Sequence, residues 1–60
     1  MKILTKSFIV IYDDNKNIII RQTENKETYV GKGSKYAEFD SEDELNQFIV
    51  DNKLVEVELN

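Results

Sequence analysis

Residues 8–23 read FIVIYDDNKNIIIRQT, and the fold turns on how this stretch is read. Phe8 to Tyr12 is β-branched and aromatic throughout, the composition of a strand. Asp13-Asp14-Asn15-Lys16-Asn17 then supplies side chains that tolerate left-handed backbone and bond to their own turn. Ile18 to Thr23 is a return strand, so the stretch predicts a β-hairpin. The first strand is expected to begin at Lys6, with Ile3 and Leu4 ahead of it. Closing the loop over residues 13–17 sets Tyr12 opposite Ile18, Val10 opposite Ile20 and Phe8 opposite Gln22 on one face. The other face then carries Ile9, Ile11 and Ile19 with Ser7, Arg21 and Thr23.

Both faces of this hairpin are therefore apolar, and that sets the problem for the rest of the chain. Fully burying one isoleucine contributes about 1.5–3 kcal/mol, and an exposed cluster of three is unusual for a monomer. Either residues 1–4 or the 28–39 region fold over the second face, or a partner covers it. On the second alternative Ile9, Ile11, Ile19 and Arg21 are the interface candidates.

Downstream, Ser41-Glu42-Asp43-Glu44 matches the Ser-x-x-Glu capping box. Ser41 accepts from a first-turn N–H and Glu44 reaches back to the Ser41 N–H. Three acidic residues stand where the helix dipole is positive. Leu45, Phe48, Ile49 and Asn52 recur at i, i+3, i+4 and i+7, which predicts a helix over about 42–52 with one apolar stripe. That stripe is expected to sit on Phe8, Val10, Ile18 and Ile20. Leu54 to Leu59 alternates, with Val55, Val57 and Leu59 on one side and Glu56 and Glu58 on the other, a last strand with one wet face.

Between hairpin and helix the signals are short. Residues 24–27 are a polar turn, 28–30 a brief strand, and Gly31-Lys32-Gly33 a bend. Residues 34–39 are extended, with Tyr36 pointing inward. Residues 28–39 form either a second hairpin or one bulged strand. The whole reads as one domain over residues 1–60, α+β, a small mainly antiparallel sheet of order β-β-(β)-β-α-β with one helix packed on one face. The strands before and after the helix are candidates for a parallel crossover.

The 60 residues include no Cys and no His. That excludes disulfides and removes the usual zinc ligands and the commonest general base. The carboxylates lie in turns or at a solvated helix start, and the domain is too small for a sizeable pocket. A non-enzymatic chain without cofactor or small-molecule substrate is expected. The longest apolar run, Phe8 to Tyr12, is too short to span a bilayer, and Lys6 interrupts any secretion signal. Membrane association is not expected, and the chain reads as a whole cytoplasmic gene product. Ile, Lys and Asn supply a third of the residues, which suits a low-GC bacterial or phage genome.

Four patterns invite a sharper chemistry. Asp13, Asn15, Asn17 and Glu24 have the spacing of a calcium loop, but Ile18 stands where glycine is required. Gly31-Lys32-Gly33 lies too far ahead of the helix to cradle a phosphate. Residues 1–36 carry net charge +3 and residues 37–60 net −7, giving −4 overall. Glu42, Asp43, Glu44, Glu56 and Glu58 could thus offer an acidic surface to a basic partner, as a nucleic-acid mimic does. Lys26, Tyr29, Lys32, Lys35 and Tyr36 combine cations with rings, as single-strand binders do, although the acidic net charge opposes it. The leading expectation is a protein-interaction module, a homodimer or assembly subunit. The acidic mimic and a weak nucleic-acid binder rank below it.

Overall fold

The computed structural model describes residues 2–56. The expected last-strand residues Val57, Glu58 and Leu59 lie outside the described residues. The elements are β1 (Lys2–Leu4), β2 (Phe8–Tyr12), β3 (Asn17–Gln22), β4 (Thr28–Val30), β5 (Lys35–Phe39), α1 (Glu42–Asp51) and β6 (Val55–Glu56). They form a four-stranded sheet of order β5-β2-β3-β6 and a separate two-stranded ribbon, β1-β4. α1 lies across β2 and β5 on one face of the sheet.

The α+β class and element order match the sequence reading. In the sheet, β5 and β3 run antiparallel to β2, and β6 runs parallel to β3. β5 and β6 therefore point the same way from opposite edges, with α1 making the crossover. The first strand differs from expectation: β1 and β2 are separate, broken at residues 5–7, because β1 leaves the sheet to pair with β4. Residues 28–39 are neither a hairpin nor one bulged strand. β4 pairs with β1 and β5 with β2, and the Gly31–Ser34 turn carries the chain from ribbon to sheet. Gly33 takes φ +86° there, a conformation that glycine adopts without strain.

The hairpin closes as its Asp/Asn content predicts. Asp13 Oδ1 accepts from the Asn15 and Asn17 N–H groups, both at 2.9 Å. The Lys16 N–H donates to the Asp13 carbonyl, and Lys16 is left-handed at φ 67°. Tyr12 pairs with Ile18 as expected. Beyond that point the register shifts, pairing Ile11 with Ile20, Val10 with Arg21 and Ile9 with Gln22. Ile19 is the extra residue of a β-bulge, and one extra residue swaps the faces of all that follow. Ile20 and Gln22 consequently leave the helix side, and Arg21 joins it.

The sheet thus has two cores. Under the helix, Val10, Ile18, Leu45 and Leu54 are buried, with Phe8, Tyr12, Ala37, Phe39, Phe48 and Ile49 packed around them. Under the ribbon, Leu4, Ile9, Ile11 and Val30 form the second cluster. Ile9 and Ile11, proposed from sequence as interface residues, are core residues of one chain: the ribbon is their cover. Tyr36 is exposed rather than inward, because Ala37 and Phe39 take the helix side of β5. Val55 is exposed too, and its neighbour Leu54 takes the buried place.

Both helix ends are built locally. Ser41 Oγ accepts from the Glu44 N–H at 3.2 Å. The reciprocal bond goes one residue further back than expected, from the Asp40 N–H to Glu44 Oε2 at 3.2 Å. At the other end the Lys53 N–H donates to Val50 O and the Leu54 N–H to Ile49 O, a Schellman motif with Lys53 left-handed at φ 56°.

Candidate interaction surface

The ribbon is narrow. Its two three-residue strands cover Ile9 and Ile11 of β2, while Ile20 of β3 and Val55 of β6 stay exposed on the same face. The bulge puts Ile20 on that face. The β3–β6 register, Asn17 with Val55 and Ile18 with Glu56, puts Val55 there as well, since Ile18 faces the helix. Ile19 is 54% exposed, Ile20 38% and Val55 55%. Of the four interface candidates read from sequence, only Ile19 stays on the surface unengaged. Arg21 lies on the helix side, where its guanidinium donates to Asn46 Oδ1 (2.7 Å) and Glu42 Oε2 (3.3 Å). Ile20 and Val55 were missed. The three consecutive isoleucines conceal the bulge, because a slip by one residue leaves the apolar pattern unchanged. The usable signal was Arg21, which an unbulged register sets on an apolar face and a bulged one sets beside the acidic helix start.

The ribbon is anchored by a buried polar knot. Gln22 Nε2 donates to the Lys6 carbonyl (3.1 Å) and the Lys26 carbonyl (3.2 Å). Thr28 Oγ1 donates to Gln22 Oε1. One side chain of the sheet so ties down both ends of the ribbon's connections. Every buried side-chain polar atom among the described residues has a partner.

The acidic residues are partly spent on local structure. Glu44 caps, Glu42 meets Arg21, and Asp40 pairs with Lys6 at 2.9 Å. That last pair raises the Lys6 pKa from its ordinary value through the hydrogen bond and the charge of Asp40. Asp43 is exposed on α1, and Glu56 is exposed on β6.

The lysines and tyrosines do not share a surface. Tyr29 sits on the outer side of the ribbon, paired with Ile3. Tyr36 is on the sheet's ribbon-side face with Lys2 Nζ 5.6 Å above its ring. Lys35 lies on the opposite face, aligned with Tyr12, and reaches Asp14 at 3.4 Å. Lys26 and Lys32 occupy two different turns, both exposed.

The calcium-loop spacing is used for the turn: Asp13 is turned inward onto backbone N–H groups, and the bond from Asn17 is the chief cause of its lowered pKa. Among the described residues no group of three or more His, Cys, Asp or Glu is placed to hold a metal. A cleft of about 260 Å³ is lined by Lys6, Ser7, Phe8, Asn25, Phe39 and Asp40. That lies below the range of about 300–1,000 Å³ usual for small-molecule sites. No helix among the described residues is long and apolar enough to cross a membrane. Comparison with protein-family models, curated proteins and solved structures finds no match.

Proposed function

We propose that this chain is a non-enzymatic protein-interaction module, a homodimer or assembly subunit working in the cytoplasm of a bacterium or a phage-infected cell. One observation carries the reading: Ile19 and Ile20 remain exposed on an internal strand after both covers of the sheet are in place. A protein partner laid over the open β3–β6 half of the ribbon-side face would bury them together with Val55. Burial of this kind drives association without directional chemistry, and it needs none of the residue types the chain lacks.

The test pairs an Ile19→Ser/Ile20→Ser variant with the unaltered chain in sedimentation and in capture from the native host. The variant is expected to keep the circular dichroism spectrum and lose the partner captured from the host. A captured partner that survives the double change would refute the docking face.

A further inference from the structure

We infer that β5 pairs antiparallel with β5 of a second copy, joining two four-stranded sheets into one of eight strands. The inference rests on the reading that the chain works by binding protein, and it adds the partner and the edge.

The strands with an open side differ in what they offer. β6 is described over two residues, and β1 and β4 span three each. β5 spans five, in unbroken register with β2 from Lys35–Tyr12 to Phe39–Phe8. Among the described residues, backbone hydrogen bonds from 35–39 go only to β2. Alternate residues of an antiparallel strand direct their N–H and C=O groups away from the first partner. Natural edges are usually blunted by short length, bulges, prolines or charged side chains, lysine above all. β5 has no bulge and the chain has no proline; its two charges, Lys35 and Glu38, guard the edge against foreign strands, yet neither is set directly opposite a like charge when the strand pairs with its own copy about Ala37.

The side chains select the occupant and the register. A two-fold axis at Ala37 is the one arrangement that pairs all five residues of β5 with their copies. It sets Tyr36 opposite the second copy's Glu38, so a phenol meets a carboxylate rather than acid meeting acid. It brings the Lys35 end of one strand beside the Phe39–Asp40 end of the other, positive toward negative. The small Ala37 meets itself on the helix side, where a bulky residue would hold the copies apart. On that side Phe48 packs in tilted contact with Phe39 (5.2 Å between ring centres) and Tyr12 (5.9 Å), all three half-buried. The second copy's helix layer would extend over this aromatic row.

The chain's lack of cysteine makes the test direct. Ala37→Cys should cross-link into a covalent dimer with a short bifunctional thiol reagent, because directly opposed residues bring their Cβ atoms within about 4.5–5.5 Å, a span the reagent bridges in either hydrogen-bonding phase. Asp43→Cys, on the exposed face of α1, should not. Tyr36→Glu sets carboxylate against carboxylate and should weaken the dimer by about tenfold or more in sedimentation equilibrium, whereas Tyr36→Gln should hold it. Tyr36 is exposed, so its variants decide the matter even if the Ala37→Cys change disturbs the fold. A dimer that neither cross-links in the Ala37→Cys variant nor responds to Tyr36→Glu overturns β5 pairing and leaves the protein-binding reading standing. A strict monomer at high micromolar concentration overturns the inference outright. An extended foreign peptide that protects the 35–39 amides from exchange in a chain that stays monomeric would also overturn it, assigning the edge to another protein.

Discussion

The two faces of the four-stranded sheet are covered by different means. On one side a ten-residue helix brings its own start and stop: Ser41 and Glu44 at one end, the Schellman bonds to Val50 and Ile49 at the other. On the other side the cover is two three-residue strands that come from distant parts of the chain. They have no local stability, because a two-stranded ribbon is marginal alone. Their hold comes from Leu4 and Val30 against Ile9 and Ile11, and from the Gln22 knot. A locally encoded cover and a purely tertiary one thus close the same sheet, and they should fail differently.

Truncation of the two buried leucines breaks the comparison most sharply. Leu45→Ala removes the central side chain of the helix core and should destabilise by about 2–5 kcal/mol, against about 3–9 kcal/mol for a domain of this size. Urea denaturation should show a large loss of the global midpoint. Leu4→Ala removes similar volume from the ribbon core, but the expected outcome is local opening. Hydrogen exchange should show the β1–β4 amides losing protection while α1 keeps it. Equal loss across both regions would mean that the covers are one cooperative unit.

Gln22→Ala is the next step down. It leaves the Lys6 and Lys26 carbonyls without their donor and Thr28 without its acceptor, and should cost about 1–3 kcal/mol. The change should register in ribbon amide exchange before it registers at the helix. Ser41→Ala tests the other cover and should cost about 1 kcal/mol in thermal unfolding. Smaller still, Lys53→Gly should stabilise the helix stop by up to about 1 kcal/mol, since left-handed backbone is costly for a residue with a Cβ.

A pH titration sharpens the hairpin end of the comparison. The Asp13 pKa is lowered in the folded chain by the Asn17 and Asn15 N–H groups. Its stabilisation is therefore present above the ordinary value of 3.8 and is lost as pH falls from there toward the lowered value. Asp13→Ala should flatten that part of the acid-unfolding curve. Lys6 has the opposite sign. Its pKa is raised, so its contribution is complete below the ordinary 10.5 and is lost as pH rises through the raised value.

What could be read from the chain follows this division. Hairpin, capped helix and element order all rest on interactions within a few residues, such as Asp13 with Asn17 and Ser41 with Glu44. The candidate surface was half legible. Ile19 stood out as an apolar residue in need of a cover, but Ile20 and Val55 did not, since their faces depend on a bulge and on a strand-to-strand register.

By itself, then, the sequence determined that the hairpin has apolar residues on both faces and that one helix could cover only one of them. The tertiary structure alone decided what covers the other. Lys2–Leu4 and Thr28–Val30 find each other across more than twenty residues, and no local hydrogen bond or periodicity announces such a pairing. It also decided which side Arg21 and Gln22 take, because a bulge at Ile19 exchanges faces without altering an apolar pattern that is the same in every register.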